Sequence, residues 1–133
     1  MANLPDVYCW IKLINHKTGK VVASGTEFDE SDDVDAVTIR YVVANDSNKA
    51  TGNFTVVGSL TKDGQKLLPP VPPTTLNLQP KQLWTHEHAV SISLSDSATY
   101  VASMLGDVGN FITEEDEHNN KASAKFSVNG ILG

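Results

Sequence analysis

Two alternating runs joined by a long acidic loop set the tightest limit on what this chain can fold into. Tyr100 to Leu105 and Ala122 to Val128 read as strands. The loop between them carries Asn110, Ile112, Glu114, Asp116, Glu117, Asn119 and Asn120. Strand, long polar connector and strand again, closed by an Asn pair, predict an all-β sandwich.

The same pattern continues upstream. A strand is expected from about Val7 to Ile14, then the turn His16-Lys17-Thr18-Gly19 and a return strand from Lys20 to Ala23. Gly19 supplies the positive φ that such a hairpin needs. Val37, Ile39, Tyr41 and Val43 alternate with Thr38, Arg40, Val42 and Ala44, the mark of a central strand. Asn45 to Asn48 ends that strand with turn chemistry. Phe54 to Lys62 puts Phe54, Val56, Gly58 and Leu60 on one face, and Asp63-Gly64 is a two-residue hairpin signal. Pro69 to Pro73 reads as an extended edge segment or crossover, because proline cannot donate to a ladder. A long strand from Gln82 to Leu94 precedes the closing pair. Seven or eight short strands with turns between them predict one Greek-key sandwich across all 133 residues. The acidic stretch Glu27 to Asp35 is read as too polar to hold a packed element.

Composition excludes several functions. The formal charge is −6, with six of sixteen acids between Glu27 and Asp35 and four more from Glu114 to Glu117. Basic residues are scattered singly, which argues against nucleic acid and against an anionic membrane surface. No apolar run is long enough to span a bilayer as a helix. The first residues have neither the basic nor the apolar segment of a signal peptide, so export by that route is not expected from them. Cys9 is the sole cysteine and shares strand parity with Val7, Ile11 and Leu13, so it is expected in the core. No nucleophile elbow, phosphate loop or paired cleft carboxylates are evident, and the chain is read as non-catalytic.

Four groups are candidates for function. Tyr8 and Trp10 share the face opposite Cys9, and an open face would make them a flat aromatic platform for a protein or a sugar ring. A covering segment would instead bury them. Asp107, Glu114, Asp116, Glu117 and Asn119 could offer oxygens to Ca²⁺, although no EF-hand spacing is present. The plainer reading is that Asn119 and Asn120, like Asn45, shape their turns while the acids stay solvated. The stretch Asp29 to Asp35 is a similar cation candidate, with a flexible, soluble insertion as its plainer reading. His86 and His88 flank Glu87 with core-side parity, so either a bulge re-aims them or they sit at the sandwich rim capped by Trp84; they supply two metal ligands where a site needs three or four.

From about Val37 to Val128 the chain resembles the bacterial cell-adhesion-related (CARDB) domain. The resemblance rests on Val43-Ala44-Asn45 before a turn and on Leu78-Gln79-Pro80 before a strand. Its main part is the series Tyr100, Asp107, Asn110, Ile112, Glu114, Glu117, Asn119 and Asn120. It implies an immunoglobulin-like core over about 35–129, with an extra hairpin and acidic loop over 15–35, and an extracellular or cell-surface setting. The expected function is a binding or assembly module that offers its loops and a sheet face to a protein partner or to itself. The alternative is a carbohydrate-binding accessory module with a calcium-stabilised loop.

Overall fold

The computed structural model describes residues 7–67, 69–106 and 121–130. Within them the chain is all-β, with ten strands: β1 Val7–Asn15, β2 Val21–Val22, β3 Thr26–Phe28, β4 Ala36–Asn45, β5 Asn53–Lys62, β6 Gln65–Lys66, β7 Val71–Asn77, β8 Leu83–Ser91, β9 Ala98–Gly106 and β10 Lys121–Val128. Seven of these have seven residues or more, close to the number expected from sequence; β2, β3 and β6 are two or three residues long. One sheet runs β2-β1-β4-β8 and the other β3-β10-β9-β5-β6, with β7 also on β5.

Alternation decides which side of each strand faces inward. Along β5, Phe54, Val56 and Leu60 are buried between half-exposed neighbours. Leu13 of β1, Ile39, Tyr41 and Val43 of β4, Ala102 and Met104 of β9, and Ala124 and Phe126 of β10 meet them from both sheets. Burial of one face of each layer is the main stabilising term for such a sandwich. Cys9 is buried in this core.

Two close fits hold the core, one between the layers and one within the second sheet. The Tyr41 hydroxyl donates to the Ser59 carbonyl at 3.0 Å, pinning β4 to the facing strand β5. Burial pushes that hydroxyl far above the ordinary tyrosine pKa. The Tyr41 ring fits because residue 58 is glycine: a Cβ there would come within 3.0 Å of the ring and 2.9 Å of Val71 Cβ. The second fit is aromatic, with Tyr100 stacked on Phe126 at 4.9 Å and Phe28 edge-on to Phe126 at 6.5 Å.

Two expectations need correction. The acidic stretch does hold a packed element at its start. β3 pairs in parallel with β10, Phe126 opposite Thr26 and Val128 opposite Phe28, and both Phe28 and Val34 are buried. A single aromatic anchor among carboxylates leaves no periodicity to detect. The proline-rich segment also does more than pass by. From Val71 it becomes β7, paired with β5 across an irregularity between Val56 and Gly58. It lies at the sheet edge, where Pro72 and Pro73 cost the least in lost ladder bonds.

Candidate functional site

The outer face of the four-stranded sheet is built in rows across β1, β4 and β8. Tyr8 stands opposite Ala44 and Ala44 opposite Leu83; the next row is Trp10, Val42 and Thr85, and the one after is Lys12, Arg40 and Glu87. Tyr8, Trp10 and Leu83 remain 43%, 37% and 56% exposed, so three large apolar side chains share one open end of the face. Val42 points the same way yet is only 3% exposed. The patch therefore has a floor as well as a rim.

Beside these residues is an open hollow of about 320 Å³, lined by Tyr8, Trp10, Ala44, Asp46, Lys81 and Leu83. Its polar edge is the Asp46–Lys81 ion pair, 3.4 Å apart and well exposed. Lys81 adopts a positive φ of 62° in the turn before β8. Further along, Arg40 and Glu87 form a cross-strand pair, with Nη2 and Nε each 2.7 Å from one carboxylate oxygen. The face thus changes from apolar at the β1 start to charge-balanced at its middle.

The aromatic rings do not form the flat platform expected of them. Tyr8 and Trp10 lie 5.6 Å apart with their planes 62° from parallel, an edge-to-face pair. Two residues apart on a twisted strand they share a side of the sheet but not a plane.

The hollow is held in shape by Asn45. Its side chain is buried, with Nδ2 donating to the carbonyls of Lys49 at 2.6 Å, Gln79 at 3.2 Å and Leu78 at 3.4 Å. Its Oδ1 accepts from the Ser47 hydroxyl at 2.6 Å and the Ser47 amide at 3.2 Å. One amide thereby joins the β4–β5 turn to the β7–β8 turn, and the latter carries Lys81. Thr51 reinforces the joint, its hydroxyl accepting from the Leu78 amide at 2.9 Å.

The remaining candidates fall elsewhere. Asp107, Glu114, Asp116, Glu117, Asn119 and Asn120 lie outside the described residues. In the other acidic stretch, Asp29 Oδ1 accepts the Ser31 amide at 2.8 Å and its hydroxyl, while Asp32 Oδ2 accepts the Asp29 amide at 2.8 Å. The Ser31 hydroxyl and then its amide hold the Asp29 carboxyl below the usual carboxylate range. Asp33 pairs with Lys17 at 2.8 Å. These oxygens are shaping the loop rather than converging. His86 and His88 have core-side parity, opposite Tyr41 and Ile39, on an edge strand in unbroken register. His86 is exposed and stacks on Trp84 at 6.1 Å, with the planes 11° apart. Among the described residues no three His, Cys, Asp or Glu side chains form a group able to hold a metal.

Leu83 and the Asp46–Lys81 pair escape a reading of the sequence. Leu83 carried a signal, since it sits on the non-core parity of β8. Lys81 lies in a turn, and only the fold brings it to Asp46.

Two sheets, antiparallel except where β3 joins β10, stacked over one alternating core define an immunoglobulin-like sandwich. Within that class the chain has the fold of a CARDB domain. It matches the CARDB domain of the PF1109 protein from Pyrococcus furiosus in complex with di-metal ions, with a TM-score of 0.62 and 16% identity over 96% of each chain. The solution NMR structure of that domain gives a TM-score of 0.60 at the same identity, over 96% of this chain and 97% of the other. No family model matches the sequence, and no curated protein does. At this identity the likeness speaks to fold. No helix among the described residues is long and apolar enough to cross a membrane.

Proposed function

We propose that the chain is a non-catalytic binding module whose outer β1-β4-β8 face takes up a protein partner. The observation that carries this is the clustering of Tyr8, Trp10 and Leu83, all exposed, around a hollow with a polar edge at Asp46 and Lys81. Apolar anchors beside a polar rim are the usual anatomy of a protein contact, and tryptophan and tyrosine dominate the energetics of such contacts. Rings at 62° suit an irregular protein surface better than the flat face of a sugar. The CARDB fold supports the same reading, since the sandwich serves as a scaffold and its exposed surfaces carry recognition.

The test compares the folded protein with the Trp10→Ala, Leu83→Ser double variant for retention of partners from source-cell extract. A protein held by the first and released by the second, with the variant still folded at the assay temperature, supports the reading. Equal retention by both contradicts it.

A second reading concerns calcium. It draws on the di-metal complex of the similarly folded PF1109 domain and on the oxygens of Asp107, Glu114, Asp116, Glu117 and Asn119. A cation bound only by the folded state raises the melting temperature. A rise in millimolar calcium, reversed by chelator and absent in Glu114→Gln/Glu117→Gln, supports it; an unmoved melting temperature removes it.

A further inference from the structure

We infer that β8 is the seam of a homodimer, in which two copies pair β8 antiparallel and their four-stranded sheets become one of eight strands. The inference begins with an inventory of edges, because an unpaired strand edge is a template for another chain. Among the described residues most edges are blunted. β2, β3 and β6 are two or three residues long, and β7 begins Val71-Pro72-Pro73. Beyond the reach of β2, Val7 and Cys9 on β1 already have partners. β8 differs: it is nine residues long, contains no proline, and keeps unbroken register with β4 from Ala36–Ser91 to Ala44–Leu83.

Two hydrogen bonds at the ends of that ladder show which backbone groups face outward. The Asn45 amide donates to the Gln82 carbonyl at 2.9 Å, and the Ile92 amide to the Asp35 carbonyl at 3.0 Å. In an antiparallel pair such bonds recur at every second residue. The even-numbered residues of β8 therefore bond to β4. Leu83, Thr85, Glu87, Ala89 and Ser91 direct their N–H and C=O groups to the open edge.

Charge selects the occupant. A second copy brings another −6, so two copies meet most easily where neither presents net charge. β8 holds one charged side chain, Glu87, and Arg40 balances it at 2.7 Å. Register follows from the same consideration. Centring the pair on Glu87 would face two carboxylates, and centring it on His88 would leave Leu83 beyond the contact. Centring it on His86 sets Thr85 against the partner's Glu87, Leu83 against the partner's Ala89, and Trp84 against the partner's His88. Leu83, more than half exposed in the single chain, then gains an apolar neighbour.

The pairing uses the edge and leaves Tyr8 and Trp10 on the outer face; Leu83 is common to the seam and the proposed partner site, so Trp10→Ala alone tells the two apart. Light scattering from 10 to 500 µM should show a mass that rises toward twice the 14.3 kDa of the chain. Thr85→Pro removes one outward N–H while sparing the β4 ladder, and should give a folded monomer; Trp10→Ala should remain a dimer. Hydrogen exchange of the unaltered protein supplies a second measurement, with the Thr85, Glu87 and Ala89 amides slowing several-fold between the two ends of the range, toward the about sevenfold limit that mass action sets for a fifty-fold rise. Should Thr85→Pro fail to fold, that exchange decides. Monomer mass throughout, concentration-independent exchange at these amides, or a dimer that survives in folded Thr85→Pro overturns the inference.

Discussion

Asn45 and Tyr41 concentrate the polar chemistry that keeps this apolar sandwich in one arrangement. Asn45 joins two turns through both ends of its amide; its removal takes one donor from each of the Lys49, Leu78 and Gln79 carbonyls, which keep Ser47, Thr51 and Gln82 as donors, and takes the acceptor of the buried Ser47 amide. Asn45→Ala should cost about 1–2 kcal/mol in urea unfolding, since a hydrogen bond contributes about 0.5–1.5 kcal/mol net. Asn45→Asp should cost at least as much at pH 7, because it turns a carboxylate oxygen toward carbonyls, and should recover as acid restores a proton. The sequence marks Asn45 as a turn former. Its link to Leu78 and Gln79, more than thirty residues on, has no local signature. Tyr41 makes the second prediction, in alkali. Its pKa is raised on folding, so its contribution is complete below the ordinary value of 10.0 and declines as pH rises past it, where the unfolded chain ionises first. Tyr41→Phe should cost about 1 kcal/mol at pH 7. Above pH 10 the gap to the unaltered protein should close at up to about 1.4 kcal/mol per pH unit. A gap that stays constant from pH 8 to 11 would place the hydroxyl in contact with water.

Among elements, the short strand β3 depends most on one side chain. Its backbone pairs with β10 for three residues, and the Asn129 amide closes the arrangement on the Phe28 carbonyl at 2.8 Å. Phe28 seats it against Phe126. Phe28→Ala should destabilise by about 3 kcal/mol, at the lower end for a buried aromatic because the site lies at a sheet edge. Hydrogen exchange at Asn129 should quicken well beyond the global change, whereas equal acceleration at all core amides would show that β3 unfolds only with the rest. Strands whose faces alternate over eight or more residues are legible in the sequence: β4, β5, β9 and β10 announce themselves by period. β3 has too few residues for a period, and β7 is masked by prolines whose tolerance depends on lying at an edge, a property of the finished sheet.

The whole molecule is a sandwich with an apolar interior, and the surface proposed for recognition lies on its outer face. Parity along the strands turns Tyr8, Trp10 and Leu83 away from the core, but the angle between the rings, the meeting of Leu83 with them and the reach of Lys81 to Asp46 depend on which strands become neighbours. The central claim is that Trp10 belongs to the surface and not to the core. Urea unfolding of Trp10→Ala tests it most directly. The account predicts a loss of about 1 kcal/mol with an unchanged m-value, reflecting contact with Val42 and Tyr8 and no cavity. A loss of about 3 kcal/mol or more, the range for truncating a buried aromatic, would contradict it.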